Sequence, residues 1–149
     1  MIIAIGSDAK THLTDSVIAI LQACGHQLAL FGALKADCAL WPHVAYEVAK
    51  QVASGKADQG ILFCWTGTGV SIVANKVPGV RAALCHDAET AKGARIWNDA
   101  NILVMSLRSC AVEIAKEMLT VWFATAASTE KDDKLCLKIM QDLDAGKAI

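Results

Sequence analysis

Neither sign of charge dominates this chain: 14 Lys and Arg stand against 15 Asp and Glu, a formal net charge of −1 at pH 7. A surface that neutralises many phosphates needs a basic excess, so the balance excludes nucleic acid and acidic membrane surfaces as partners. No apolar run is long enough to span a bilayer, and Met1 to Gly6 lacks the basic flank and cleavage site of a signal peptide. A cytoplasmic protein without membrane contact is therefore expected. The six cysteines (Cys24, Cys38, Cys64, Cys85, Cys110 and Cys136) contain no CxxC pair and no dense spacing. They read as reduced thiols, not as a disulfide frame or zinc site, and neither metal nor cofactor is expected. Internal repeats, low-complexity tracts and linkers are also missing. At 149 residues, with 54% hydrophobic and 19% charged composition, one domain spanning residues 1–149 is expected.

What the chain does carry is an alternation of short apolar runs with helical periodicity. Ile2 to Ile5 ends at Gly6-Ser7-Asp8, and Leu13, Val17, Ile20 and Leu21 then recur at helical spacing, which predicts a strand, a loop and a helix. Gly25 stops that helix, Leu28 to Phe31 predicts a second strand, and Tyr46, Val48, Ala49 and Val52 predict a helix opened by Pro42. Val80 to Leu84 and Asn101 to Met105 predict later strands around a helix over Asp87 to Ile96. Val112 to Ala124 and Leu135 to Leu143 predict two closing helices joined by a polar hinge, Ala126 to Lys134. Near-continuous apolar strands between helices imply an α/β fold: three layers, Rossmann-like, with a five-stranded parallel sheet covered on both faces. Ligands of such sheets bind beyond the carboxyl ends of the strands, where Asp8, Cys64 and Arg108 all fall.

The most informative stretch is ILFCWTGTGVSIVANK, Ile61 to Lys76, which reads as a buried strand, a glycine loop and a helix with Cys64 at the junction. Glycine tolerates positive φ and close backbone approach, so amide groups from Gly67 to Ser71 can converge on one anion. Cys64 is then a candidate base beside an oxyanion-holding loop. The plainer alternative is a structural cysteine before a tight turn, since free cysteine is among the most buried residue types. Asp8 likewise has a structural alternative, capping the helix that begins near Thr11, and Thr66 has one in satisfying loop backbone groups. His86-Asp87 is not a catalytic pair on this reading, because Asp87 is more simply a helix cap.

Four blocks carry a resemblance: Gly6-Ser7-Asp8; Cys64 to Gly69 with Ser71; Ala74 through Asp87; and Asn98-Asp99-Ala100-Asn101-Ile102-Leu103. In that order they resemble the type B ribose-5-phosphate isomerase family, which includes the galactose-6-phosphate isomerase subunits. The resemblance implies an aldose–ketose isomerase acting through a cis-enediol or enediolate, with Cys64 as base and Thr66 assisting at the reacting oxygens. It implies substrate contacts from Asp8, Gly67, Gly69, Ser71 and Asn98, and a phosphate held by Arg108 and Lys131. It also implies a homodimer or tetramer whose sites lie at the dimer boundary, with the last helix reaching the neighbouring subunit.

The departures from that family gather in the site. Ala9 stands where the family has histidine, Trp65 follows the cysteine where it has glycine, and Trp41 replaces a tyrosine. Trp97 replaces a histidine associated with ring opening, and two arginines four residues apart become Lys131 and Leu135. Base and oxyanion loop are retained, while ring opening and half of a phosphate clamp are weakened. Ribose 5-phosphate and ribulose 5-phosphate are the substrates the resemblance implies, and an open-chain tetrose phosphate suits these changes better. A non-catalytic partner subunit or sugar-binding protein on the same fold is the alternative.

Overall fold

The structure is a computed structural model describing residues 1–37 and 39–148. Cys38, counted above among the reduced thiols, lies outside the described residues, as does Ile149. Five strands, β1 (Ile2–Ser7), β2 (Gln27–Gly32), β3 (Gln59–Cys64), β4 (Ala82–Leu84) and β5 (Ile102–Ser106), form one parallel sheet in the order β2-β1-β3-β5-β4. The helices are α1 (His12–Ala23), α2 (Trp41–Ala53), α3 (Thr68–Ala74), α4 (Ala88–Asn98), α5 (Val112–Ala124) and α6 (Lys131–Asp144). The chain moves outward from β1 to β2 and then crosses back to β3, so strand order reverses between β1 and β3.

Successive side chains of a strand point to opposite faces, and that alternation builds two cores. Ile3, Ile5, Ile61, Phe63, Leu103 and Met105 meet α1, α4 and α5, whereas Ala4, Leu62, Cys64, Ile102 and Val104 meet α2 and α3. Each fully buried large apolar side chain contributes about 1.5–3 kcal/mol. Trp122 belongs to the first core, and its indole N–H donates to Gln59 Oε1 at 2.6 Å, so burying it strands no donor. On the other face α2 lies very near the sheet: a Cβ on Gly6 would stand 2.6 Å from Val44 Cγ1 and 2.8 Å from Val48 Cγ2.

Helix starts follow local chemistry. Thr11 and Thr14 form a reciprocal capping box on α1, Pro42 sits in the first turn of α2, and Asp87 accepts the Thr90 N–H at 2.7 Å to open α4. Two of the boundaries that differ from the expectation have a local cause. β4 begins at Ala82, not Val80, because Val80 N–H closes a turn onto Val77 O. The last helix begins at Lys131, inside the expected hinge, where Asp132 and Asp133 suit the positive end of a helix dipole. No residue of α6 is buried; it is tied back through Ser128 N–H to Ile96 O at 2.8 Å and Gly79 N–H to Asp144 Oδ2 at 2.9 Å.

Candidate active site

Parallel register sets Ser7 beside Phe63 and Cys64 beside Ser106, so β1, β3 and β5 end together. Where strand order reverses, helices on either side diverge and a crevice opens beyond the carboxyl ends. A cavity of about 260 Å³ lies there, walled by Asp8, Trp41, Cys64, Trp65, Thr66, Thr68 and Gly69. Cys64, the last residue of β3, is 6% exposed and looks to the α2–α3 side.

The loop after Cys64 depends on its glycines. Gly67 has φ +79°, and a Cβ there would also stand 2.5 Å from Leu84 Cδ1. Gly69 lies against Trp41, with two indole carbons 3.0 Å from where its Cβ would be. Thr66 Oγ1 and Thr68 Oγ1 share a hydrogen bond of 2.7 Å, so each hydroxyl orients the other at the cavity wall. The amides of Thr68, Gly69 and Val70 precede the first residue of α3 with an intrahelical acceptor and are free to face an anion. Ser71 is different: its N–H donates to Gly67 O at 3.2 Å, its hydroxyl is directed at Ala82 O, and it is not on the cavity wall. The amides left without an intrahelical acceptor therefore end at Val70, one residue before Ser71.

Asp8 follows β1 and faces the same space. Since Thr11 caps α1, Asp8 is not needed for capping. Burial raises its carboxyl above the ordinary value, against a smaller opposing pull from a backbone hydrogen bond. The buried thiol at Cys85 shifts the same way and further: desolvation, with the Asp87 carboxylate second, pushes it up to about 12, and its Sγ donates to Ala83 O at 3.6 Å. Cys85 belongs to a core and not to the cavity.

Arg108 is not on the cavity wall, but it meets Trp65, which is. The Arg108 N–H donates to Trp65 O at 3.0 Å, and the guanidinium carbon stands 5.9 Å from the centre of the Trp65 ring. Ser106, 2% exposed, organises both: its hydroxyl donates to Trp65 O at 2.9 Å and accepts the Arg108 and Ser109 N–H groups at 3.2 Å. Sequence reasoning missed Ser106 and Thr68. A serine closing the apolar run Ile102 to Met105, and a second threonine in the glycine loop, were the available signals.

Asn98 and Lys131 are not brought to Cys64 within this chain. Asn98 ends α4 and lines a second cavity of about 350 Å³ with Ala83, Leu84, Gly93, Ala94 and Trp97. The left-handed residue that follows the helix is Asp99, at φ +44°, not Asn98. Lys131 opens α6 in solvent, and the bond from Ser128 to Ile96 keeps that start on the Trp97 side. Among the described residues, no cluster of three or more His, Cys, Asp or Glu could hold a metal, and no helix is long and apolar enough to cross a membrane. The five described cysteines are all free.

Residues 3–139 match the profile of the Ribose/Galactose Isomerase family. The chain is 48% identical over 85 residues to the putative sugar phosphate isomerase YwlF of Bacillus subtilis, a match spanning 57% of each chain. Over 139 residues it is 37% identical to D-erythrulose-4-phosphate isomerase of Pectobacterium atrosepticum, covering 89% of this chain and 91% of that one. Ribose-5-phosphate isomerase B of Clostridium thermocellum shares the fold with a TM-score of 0.87 at 32% identity, over 98% of this chain and 99% of that one. With the profile running from the first strand into the last helix, and the fold shared along nearly all of both chains, this chain belongs to the ribose/galactose isomerase family of sugar-phosphate isomerases.

Proposed function

We propose that the chain interconverts an aldose phosphate and its ketose through an enediolate, with Cys64 as the base and a four-carbon, open-chain sugar phosphate as the preferred substrate. The observation that carries this reading is the meeting of Cys64, Asp8, Thr66, Thr68 and Gly69 around one cavity at the strand-order reversal. The Cys64 thiolate removes the proton from carbon 2 of the aldose; the electron pair forms the carbon–carbon double bond, and the carbonyl oxygen becomes an oxyanion. Amides of the loop at Thr68 to Val70 stabilise that charge, and the Thr66 hydroxyl serves the neighbouring oxygen. The carbon 2 hydroxyl gives its proton to the carbon 1 oxyanion, relayed by Thr66, and the thiol then returns its own proton to carbon 1 as the carbon 2 oxygen becomes the ketone and the thiolate is restored. Asp8 fixes a substrate hydroxyl, and Arg108 attracts the phosphate.

Asn98 and Lys131 serve the site of a neighbouring copy in a homodimer or dimer of dimers. What supports this is their position away from Cys64, beside an exposed Trp97 and a helix α6 whose Leu135, Ile139 and Leu143 are uncovered. The four-carbon preference rests on Trp97. An indole offers one N–H donor and no acceptor, so it cannot shuttle the proton that opens a sugar ring. A tetrose phosphate whose ring-forming hydroxyl carries the phosphate needs no such step. Relatives named for D-erythrulose-4-phosphate and for ribose-5-phosphate bracket the choice.

The test is turnover by the purified chain. Wild type should convert erythrose 4-phosphate with a higher kcat/KM than ribose 5-phosphate, and Trp97→His should raise pentose turnover. Preference for the pentose, or no response to the substitution, would end the open-chain argument. Cys64→Ala should lower solvent-hydrogen exchange into the substrate by roughly 10²–10⁴-fold. Undiminished exchange would remove Cys64 from the role of base, while turnover by the pure homomer would exclude the partner-subunit reading.

A further inference from the structure

Resting on the isomerase function proposed above, we infer that Trp65 is a positioning residue, whose indole holds the Arg108 guanidinium at the cavity rim for the terminal anion of the substrate. Three observations converge on it. First, the chain has three arginines, and two of them share one carboxylate: Arg81 meets Asp99 at 2.9 Å and Arg95 meets it at 3.3 Å. Arg108 makes no ion pair among the described residues, and its guanidinium instead stands 5.9 Å from the Trp65 ring centre.

Second, Trp65 is 61% exposed and also walls the cavity beside Cys64 and Asp8. A large indole left in water at a cavity mouth, with a cation over its face, gains attraction from the ring quadrupole and keeps the planar fork oriented. The remaining guanidinium donors stay open to an anion. Third, the pair springs from backbones already joined. Trp65 O accepts the Arg108 N–H at 3.0 Å and the Ser106 hydroxyl at 2.9 Å, so the two side chains leave a common anchor. An unrestrained arginine would lose rotamer freedom each time it gripped an anion; Trp65 removes part of that cost beforehand.

The experiment is a double-mutant cycle read by calorimetric binding of erythritol 4-phosphate, which has the chain and phosphate of a tetrose phosphate but no carbonyl to react. Binding is thus measured whether or not the chain turns over a sugar. W65A should weaken binding about fivefold and W65F less than about twofold, since phenylalanine retains a ring face. R108Q should weaken it about tenfold or more. In the R108Q background, W65A should have no further effect, because nothing remains for the indole to hold. With erythrose 4-phosphate the W65A change should appear in KM and leave kcat within about twofold. Equal losses from W65A with and without Arg108, an unaffected W65A, or a wild type that does not bind the polyol phosphate would each overturn the inference. A wild type that binds the polyol phosphate with the expected coupling, yet isomerises no tested sugar, would sink the proposed function and leave the role of Trp65 standing.

Discussion

The cavities beside Cys64 and beside Asn98 are closed by different means. Around Cys64 polar groups share the walls with two indoles, and the loop that carries them is fixed: Gly67 by its positive φ, Gly69 against Trp41, Thr66 through Thr68, and Trp65 through Ser106. Around Asn98 the walls are chiefly apolar, at the edge strand β4, next to α6, which buries no residue, and to Trp97, which is 59% exposed. Trp97 folds back over Gly93 of its own helix, where a Cβ would stand 2.6 Å from the ring. The first set of walls is tied together by contacts within the chain. The second leaves apolar surface exposed, the kind of surface that marks an interaction site.

Complementation is the strongest test of that contrast. Cys64→Ser and Asn98→Ala should each lose about 10²-fold or more in kcat. If each site draws Cys64 from one copy and Asn98 from the other, refolding the two variants together at equal amounts restores about a quarter of wild-type activity: half the dimers are mixed, and each has one intact site. Recovery no greater than the sum of the separate variants would mean that both residues act within one copy.

Asp8→Asn should lower kcat/KM about tenfold, since a charged hydrogen bond to a substrate hydroxyl is replaced by a neutral one. Stability should move the opposite way. Burial raises the folded-state Asp8 above its unfolded value near 3.8, so the folded chain holds that proton more tightly and loses stability as pH rises through the folded value. Asp8→Asn should therefore be more stable than wild type at neutral pH, with the difference disappearing below pH 3.8 in denaturant titrations. A variant less stable at pH 7 would show that Asp8 is a structural group.

Ser106→Ala should give the smallest effect, about 1–2 kcal/mol of stability, by removing one buried hydroxyl that serves three backbone groups. Its activity should fall further than that of a variant at Trp122, which buries more surface but lies in the core between the sheet and α5. Equal losses would mean that the loops do not depend on Ser106.

Local pattern was enough wherever one segment decides its own structure. The bounds of α5 and the cap at Asp87 follow from neighbouring residues, and both are as expected. Cys64, Asp8 and the TGTG loop were legible as a site because parallel strands place their carboxyl ends side by side whatever the details of packing. Ser106 was not, since its partners Trp65 and Arg108 come from two loops that only the sheet brings together. The bond from Ser71 N–H to Gly67 O was not legible, because it depends on where the helix starts and not on residue type. For Asn98 and Lys131, spacing within one chain says nothing of which copy's cavity they serve.

The carboxamide of Asn75 sits along the outer side of β4, where its oxygen accepts the Ala82 N–H and its nitrogen donates to Ala82 O, both at 2.8 Å. A side chain there takes the hydrogen-bonding places that an incoming strand would use. An uncovered edge is the usual route by which α/β sheets fuse into continuous ribbons, and here three residues of edge strand have one of their outward peptide groups already occupied. At this edge of the sheet, pairing through the backbone ladder on which aggregates grow is thereby disfavoured, and what remains on offer is helix surface and side chains.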